Sequence, residues 1–333
     1  MNKSRFLDII GHWHGKRIGV IGDIMLDEYI MGKVTRISPE APVPIVEMEQ
    51  EFSVLGGAGN VANNIKSLGG EVILFGVIGN DEGGKKILNL LRERKIMEEL
   101  IIDENRPTTT KTRIIALNQQ VVRVDREKKE SISQEIEEKI INSLENKIKN
   151  LDGIVISDYL KGVLTFNLTQ KIIRLAKKEG KFIIVDPKGR DYSKYLGATL
   201  ITPNEKEAQI ATNSDENFNI KEIAEKLFDI VKGDGVLITR GEKGMFLYQA
   251  ESQVFIPALA SQVRDVTGAG DTVVATLALA LSGGANLLEA SILSNLSASI
   301  TVRKLGTAVV TPEELKQILP EKLELKDGWI FFK

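Results

Sequence analysis

The chain has 333 residues, 42% hydrophobic and 27% charged, enough to bury a large core in one big domain with an appendage or in two ordinary domains. Lys and Arg total 44 against 46 Asp and Glu, so no whole-chain field draws in nucleic acid or an anionic membrane, and any anion site is local. Zero cysteines exclude disulfides, thiolate nucleophiles and Cys-ligated metals and are compatible with a reducing cytosol.

The N-terminal stretch holds both histidines, His12 and His14, which read as surface residues; it lacks the apolar core and cleavage site of a signal peptide. No run of about 18 apolar residues is present to span a bilayer. The chain therefore reads as soluble and cytoplasmic.

In chain order, apolar runs at 17–23, 71–79, 153–159, 181–187, 198–204 and 235–241 read as buried strands ending in polar or glycine residues. Segments 83–96, 133–150, 167–180 and 220–233 carry apolar residues at helical spacing. Such alternation predicts an α/β fold with a mostly parallel sheet, helices on both faces, and ligands beyond the C-terminal strand ends. Two stretches break the rhythm: 27–56, with three prolines and β-type residues, and 108–127, a hairpin turning near Asn118 to Gln120. They predict a small separate sheet acting as a lid, with an exposed face open to dimer contact. The tail 323–333 suggests a hairpin at Asp327 and Gly328.

Four motifs carry chemistry. "TGAGD" (267–271) precedes an apolar helix, and glycines at a helix start leave backbone N–H groups free for an anion. Asp271 then reads either as a favourable first-turn acid or as a base that takes a proton from an attacking hydroxyl. In "TPNEKEA" (202–208), Asn204 and Glu207 have capping-box spacing, and at a strand end the same oxygens suit Mg²⁺ held through its waters. "LITRGEKGMFLY" (237–248) is a strand, a tight turn at Gly241 and Gly244, and a second strand, with Arg240 and Lys243 available to phosphates.

The fourth motif, "LGGAGNVANNIKSLGG" (55–70), sets Asn60 and Asn64 one helical turn apart behind Gly56 and Gly57. From Gly57 to Ala62 it also fits G-x-G-x-x-A, the dinucleotide fingerprint, although the preceding "EMEQEFSV" is too polar for the buried strand that fingerprint needs. "GNDEGGKK" (79–86) resembles a P-loop, but Lys86 replaces its Ser or Thr, and Asp81 and Glu82 stand where phosphate would go.

Together "GD" (22–23), "GGAGNVANN" (56–64), "GVIGNDEGG" (76–84), "TPNEKE" (202–207), "TRGEKG" (239–244) and "DVTGAGDT" (265–272) resemble, in order, the ribokinase-like (PfkB) carbohydrate kinases. That resemblance implies a three-layer α/β/α core with a β-sheet lid, homodimerisation through the lid, and ATP-dependent phosphorylation of a sugar hydroxyl. It further implies Asp271 as base, the amides of Gly268, Ala269, Gly270 and Asp271 as the anion hole, and Asn204 and Glu207 as the water-mediated Mg²⁺ motif. Glu205, Thr239, Arg240, Gly241, Gly244 and Asn295 fall at the ATP side; Asp23, Gly56, Gly57 and Asn60 fall at the sugar.

Within the family, "RISPEAPVPI" (36–45), "SDYLKG" (157–162) and "DPKG" (186–189) look like the D-glycero-β-D-manno-heptose 7-phosphate kinases, which phosphorylate the anomeric hydroxyl on the way to ADP-heptose and lipopolysaccharide. A phosphorylated substrate needs cations, and Lys111, Arg113, Arg123, Lys161 and Lys188 are the candidates, with Asp158 beside them. Lys188 ranks first because a strand end fixes its place. Residues 1–333 are expected to form one kinase domain with a lid from 27–54 and 108–126 and no C-terminal nucleotidyltransferase domain, so a separate protein would carry the downstream nucleotidyl transfer. Fructokinase-like or ribokinase-like specificity, an NAD(P)-dependent oxidoreductase on the Gly57 fingerprint, and a non-catalytic sugar sensor are the alternatives.

Overall fold

The structure is a computed structural model that describes residues 1–117, 119–215, 218–259, 262–304 and 306–332. In chain order the strands are β1 (Arg17–Gly22), β2 (Ile24–Ile37), β3 (Pro44–Gly57), β4 (Glu71–Gly79), β5 (Met97–Asp103), β6 (Thr109–Ala116), β7 (Gln119–Arg126), β8 (Gly153–Ser157), β9 (Phe182–Asp186), β10 (Leu200–Ile201), β11 (Gly235–Thr239), β12 (Met245–Gln249), β13 (Ser252–Ile256), β14 (Leu323–Lys326) and β15 (Trp329–Phe332).

A strand's pleat sends neighbouring side chains to opposite faces, and the apolar runs exploit this on both sides. Val20, Val155, Ile184 and Leu237 enter one core, while Ile21, Ile154, Ile183 and Val236 enter another. Helices Lys3–Gly11, Ala58–Ser67, Ala269–Ser282 and Leu287–Thr301 close the first core. Helices Gln134–Lys147, Phe166–Lys178 and Ile220–Val231 close the second, giving three layers.

The large sheet runs β14-β15-β13-β12-β11-β10-β9-β8-β1-β4-β5, and every neighbouring pair from β11 to β5 is parallel. From β1 the chain builds outward through β4 and β5 on one side and through β8 to β11 on the other. The carboxyl ends of β1 and β8 therefore flank a topological switch, where a crevice opens. Gly22 lets these two strands meet: a Cβ there would lie 2.0 Å from the Ser157 carbonyl oxygen.

The smaller sheet has the order β3-β2-β6-β7, with β2–β3 and β6–β7 antiparallel and β2–β6 parallel. Since β2 starts one residue after Asp23 and β3 ends at Gly57, this lid grows directly from the carboxyl end of β1. Ile37, Met48, Val122 and Val124 on it are exposed. The expected turn includes Asn118, which lies outside the described residues.

The strand expected at 198–204 shrinks to Leu200–Ile201, because Pro203 has no N–H to donate and Asn204 already caps the helix Glu205–Thr212. The tail hairpin forms and also joins the main sheet through Phe255↔Trp329, a pairing with no local sequence signal. Among the described residues no helix is long and apolar enough to cross a membrane.

Candidate active site

Helix Ala269–Ser282 begins after Gly268, whose φ of +77° is left-handed and whose Cβ position would lie 2.9 Å from Asn60 Nδ2, so only glycine fits there. A Cβ on Gly270 would meet nothing within 4 Å, leaving backbone open to the cleft. Among the described residues no acceptor takes the N–H of Gly268, Gly270 or Asp271, whereas that of Ala269 bonds to Val266 O at 3.2 Å. Of the amides from Gly268 to Asp271 expected to form an anion hole, that of Ala269 is thus engaged within the protein, and the other three face no acceptor among the described residues.

The Asp271 side chain is 5% exposed. Its Oδ2 accepts from Asn60 Nδ2 at 2.6 Å and its Oδ1 from the Tyr159 hydroxyl at 2.8 Å. Burial pushes this carboxyl up, the two hydrogen bonds and Lys188 hold it partly down, Asp27 adds to the rise, and it settles at about 6. A carboxyl poised near neutrality can accept a proton from a hydroxyl and remain ionised between turnovers.

Tyr159, which lies inside the "SDYLKG" run but received no role from the sequence, stands two residues past β8 at the switch. Burial and the nearby Asp271 charge drive its phenol well above its ordinary range, so it stays a donor. Lys111 Nζ and Lys188 Nζ each lie 5.8 Å from its ring centroid.

Several predicted ligand residues organise the site instead of lining it. Asn64 Nδ2 donates to Asn60 O at 2.9 Å, and its Oδ1 accepts from Thr272 at 2.9 Å, so the asparagine pair stitches helix Ala58–Ser67 to the Asp271 helix. Gly56 and Gly57 are packing glycines: added Cβ atoms would lie 2.3 Å from Asp27 Oδ2 and 2.4 Å from Asp23 O. The buried Asp23 carboxylate accepts from the amides of Tyr159 (2.8 Å), Lys161 (3.0 Å) and Val163 (3.2 Å), pinning the loop after β8. Burial, then the neighbouring Asp158 charge, raise its pKa against those bonds. Asp158 takes the Leu160 amide, the Tyr195 hydroxyl at 2.7 Å and Lys194 at 2.5 Å.

The five candidate cations separate sharply. Arg113 pairs with Asp27 at 2.6 Å, Arg123 with Asp125 at 2.8 Å, Lys161 with Glu127 at 2.5 Å, and Lys188 with Glu207. Lys111, half-buried on β6, has no ion-pair partner among the described residues. Burial lowers its pKa, with Lys161 and Arg113 adding to that and Asp27 opposing it. Lys188 sits with Asp186, Thr202, Asn204 and Glu207 around a cleft of about 130 Å³, the wall predicted to face nucleotide phosphates.

On that wall the capping box is fully formed: Asn204 Oδ1 accepts from Glu207 N, and Glu207 Oε2 from Asn204 N, both at 2.9 Å. Asp186, also missed from the sequence, has no side-chain hydrogen bond or ion pair among the described residues. Burial and then the charges of Asp271 and Glu207 push its pKa well up. This excess of hard oxygen donors fits Mg²⁺ better than a softer metal, and among the described residues no cluster of three or more His, Cys, Asp and Glu grips a metal directly.

Beside Gly270 opens an apolar slot of about 440 Å³ lined by Val263, Val266, Ala298 and Val302, with Thr239, Gly241, Gly244 and Asn295 at its edge. Asn295 donates to Pro257 O at 2.9 Å, and Arg240 pairs with Glu205 at 2.7 Å, so two expected nucleotide contacts are engaged within the protein. The P-loop near-miss resolves as a helix cap, Asp81 accepting from Gly84 N and Thr108 N at 2.9 Å each.

An apolar slot, helix-start amides without acceptors among the described residues and a near-neutral buried carboxyl, gathered around the start of one helix, make the arrangement of a phosphotransferase acting on an alcohol. The pattern of the pfkB family carbohydrate kinases matches residues 16–314, and the chain belongs to that family. It is 47% identical over 304 residues to the bifunctional protein HldE of Sulfurimonas denitrificans, covering 90% of this chain and 64% of that protein. HldE proteins of Desulfatibacillum aliphaticivorans (46% over 310 residues; 92% and 63% covered) and Helicobacter pylori J99 (45% over 307; 91% and 66%) are similar. The chain thus spans 63% to 66% of the length of these three relatives.

Among solved structures, Escherichia coli phosphofructokinase-2 in complex with potassium gives a TM-score of 0.74 at 19% identity, covering 91% of this chain and 98% of that one. Arabidopsis thaliana ribokinase complexed with ribose and ATP gives 0.71 at 21%, covering 91% and 98%. These likenesses establish the ribokinase-like fold. Membership of the carbohydrate kinase family displaces the oxidoreductase alternative, whose fingerprint would follow a core strand; here the preceding strand, β3, belongs to the lid.

Proposed function

We propose that this chain transfers the γ-phosphoryl group of ATP to the anomeric O1 of D-glycero-β-D-manno-heptose 7-phosphate, giving the 1,7-bisphosphate used for ADP-heptose and lipopolysaccharide-core synthesis. The observation that carries the kinase chemistry is Asp271, a buried carboxyl at about 6 in the helix start where the amides of Gly268, Gly270 and Asp271 have no acceptor among the described residues. As the acceptor oxygen bonds to γ-phosphorus, its proton passes to Asp271, the bond to the bridging oxygen breaks, and ADP leaves. The amides of Gly268, Gly270 and Asp271 stabilise the charge spread over the phosphoryl group in flight. Adenine takes the apolar slot. Asn204 and Glu207 would hold Mg²⁺ through its waters, with Asp186 on the same wall, and the ion would supply neutralisation of phosphate charge.

For the sugar, the runs 36–45, 157–162 and 186–189 and the shared HldE name of the relatives support heptose 7-phosphate. Lys111 supports a substrate with a second anionic end, since it is a half-buried ammonium with no ion-pair partner among the described residues. Residues 1–333 act as one kinase domain with the lid at 27–54 and 108–126, and copies pair through the exposed apolar residues of that lid. The relatives are named bifunctional and lend no support to a separate nucleotidyltransferase; the reading covers the kinase step alone. A coupled ADP-release assay over free sugars and sugar 7-, 6- and 1-phosphates tests it. Turnover of ribose or fructose without heptose 7-phosphate overturns the substrate, and no ADP release with any sugar overturns the kinase step.

A further inference from the structure

Asp271 is held by two donors from two different elements, and each donor is itself held. Asn60 reaches Oδ2 from helix Ala58–Ser67, where its own Oδ1 accepts from Asn64 Nδ2 at 3.3 Å. Tyr159 reaches Oδ1 from the loop after β8, where Asp23 binds its amide at 2.8 Å and that of Lys161 at 3.0 Å. Lys111 from the lid and Lys188 from the loop after β9 lie against the same Tyr159 ring. A carboxylate otherwise turns freely about its terminal torsion, whose preference is broad. Among the described residues nothing else donates to it.

We propose that Tyr159 is a positioning residue for phosphoryl transfer, fixing the Asp271 carboxylate, with Asn60 on its other oxygen, in one orientation for the incoming hydroxyl. This rests on the reading of Asp271 as the base. The charged groups acting on Asp271 besides these two donors are Asp27, Asp186 and Lys188. Arg113 bonds Asp27 and Glu207 bonds Lys188, so removing the phenol hydroxyl leaves the charges themselves in place.

The test compares wild type and Tyr159→Phe with ATP, Mg²⁺ and the sugar phosphate that the assay panel identifies, recording kcat and KM from about pH 5.5 to 9. Loss of a donor to a carboxylate raises its pKa, and a rise of about one unit from about 6 cuts the ionised fraction at pH 6.5 from ~0.76 to ~0.24. The expected result is an acid limb displaced upward, a kcat on the alkaline plateau that stays below wild type because the carboxylate is no longer held in one orientation, a further loss of about threefold at pH 6.5, and unchanged KM for ATP. Substrate phosphates titrate identically in both enzymes, so the displacement belongs to the protein. Superimposable profiles overturn the inference, as does a loss of rate equal at every pH, which is what damaged packing produces. Asp271→Asn is assayed alongside: if it turns over normally, the base reading falls, whereas an inactive Asp271→Asn with an unshifted Tyr159→Phe removes only the role of Tyr159. Should Tyr159→Phe not fold, Asn60→Ala, which removes the donor on Oδ2, must displace the same limb upward, and an unmoved limb overturns the clamp.

Discussion

Asp271→Asn separates chemistry from stability in one substitution. The variant keeps the shape of the side chain: its amide oxygen can accept from Asn60 Nδ2, and its amide group can donate to the phenolic oxygen of Tyr159. It loses the ability to take a proton, so turnover falls by about 10² to 10⁴, or roughly 3–5 kcal/mol of barrier, while KM for ATP stays near wild type. Stability moves the other way. In the folded protein the carboxyl is raised from its ordinary 3.8 to about 6, a difference of about 2 units and an upper bound of roughly 3 kcal/mol against folding at neutral pH. The native state binds this proton more tightly than the unfolded chain, so the penalty is absent below about pH 4, grows between about pH 4 and 6, and is complete above that. Asp271→Asn therefore melts several degrees higher than wild type at about pH 7.5, and the gain disappears near pH 4. Differential scanning calorimetry at both pH values, with a steady-state assay, reads both effects. A variant with turnover within about tenfold of wild type refutes the base, and a melting temperature lowered at neutral pH refutes the account of its burial.

Lys111→Ala removes the unpaired lid ammonium and is expected to raise KM for the sugar phosphate about 10- to 100-fold with little change in kcat, whereas Arg123→Ala, already paired at the surface, leaves it unchanged; equal KM values for wild type and Lys111→Ala count against that role. Gly22→Ala forces a Cβ to within 2.0 Å of Ser157 O, parting β1 from β8 at a cost of about 1–3 kcal/mol in a urea melt; an unaltered midpoint means that the strands yield without cost. Met48→Glu with Val124→Glu charges the exposed lid face, and sedimentation is expected to show wild type at twice the 36.8 kDa chain mass and the double variant at the chain mass itself; wild type sedimenting as a single chain removes the dimer.

The layered fold was legible because it depends on local periodicity. A run such as 153–157 in which every residue is apolar or small can only be a strand covered on both faces, and the helical spacing of 167–180 supplies one of the covers. The lid was legible for the complementary reason: 27–56 and 108–127 have β-type residues without a helical period, so they stand outside the alternation. Glycine before a helix likewise announces open backbone amides in a few consecutive residues, and Gly268 and Asp271 stand out in the sequence that way.

What the amino-acid order alone determined, then, is whatever its neighbours dictate within a turn or a pleat: strands, helices, caps and the glycine-started helix with its acid. Partnership was decided only by the tertiary structure. Asp23 at a strand end looks like a ligand until the fold brings it the amides of Tyr159, Lys161 and Val163, more than 130 residues on. Five lysines and arginines look alike as letters, yet four pair with an acid and Lys111, among the described residues, does not. Tyr159 sits in the "SDYLKG" run with nothing local to give it a role, and meets Asp271 only because β8 lies beside β1 and ends where the Asp271 helix begins its first turn. A hydrogen bond across 112 residues is written in the packing of sheet and helices, because no spacing rule of period two or 3.6 reaches that far along the chain.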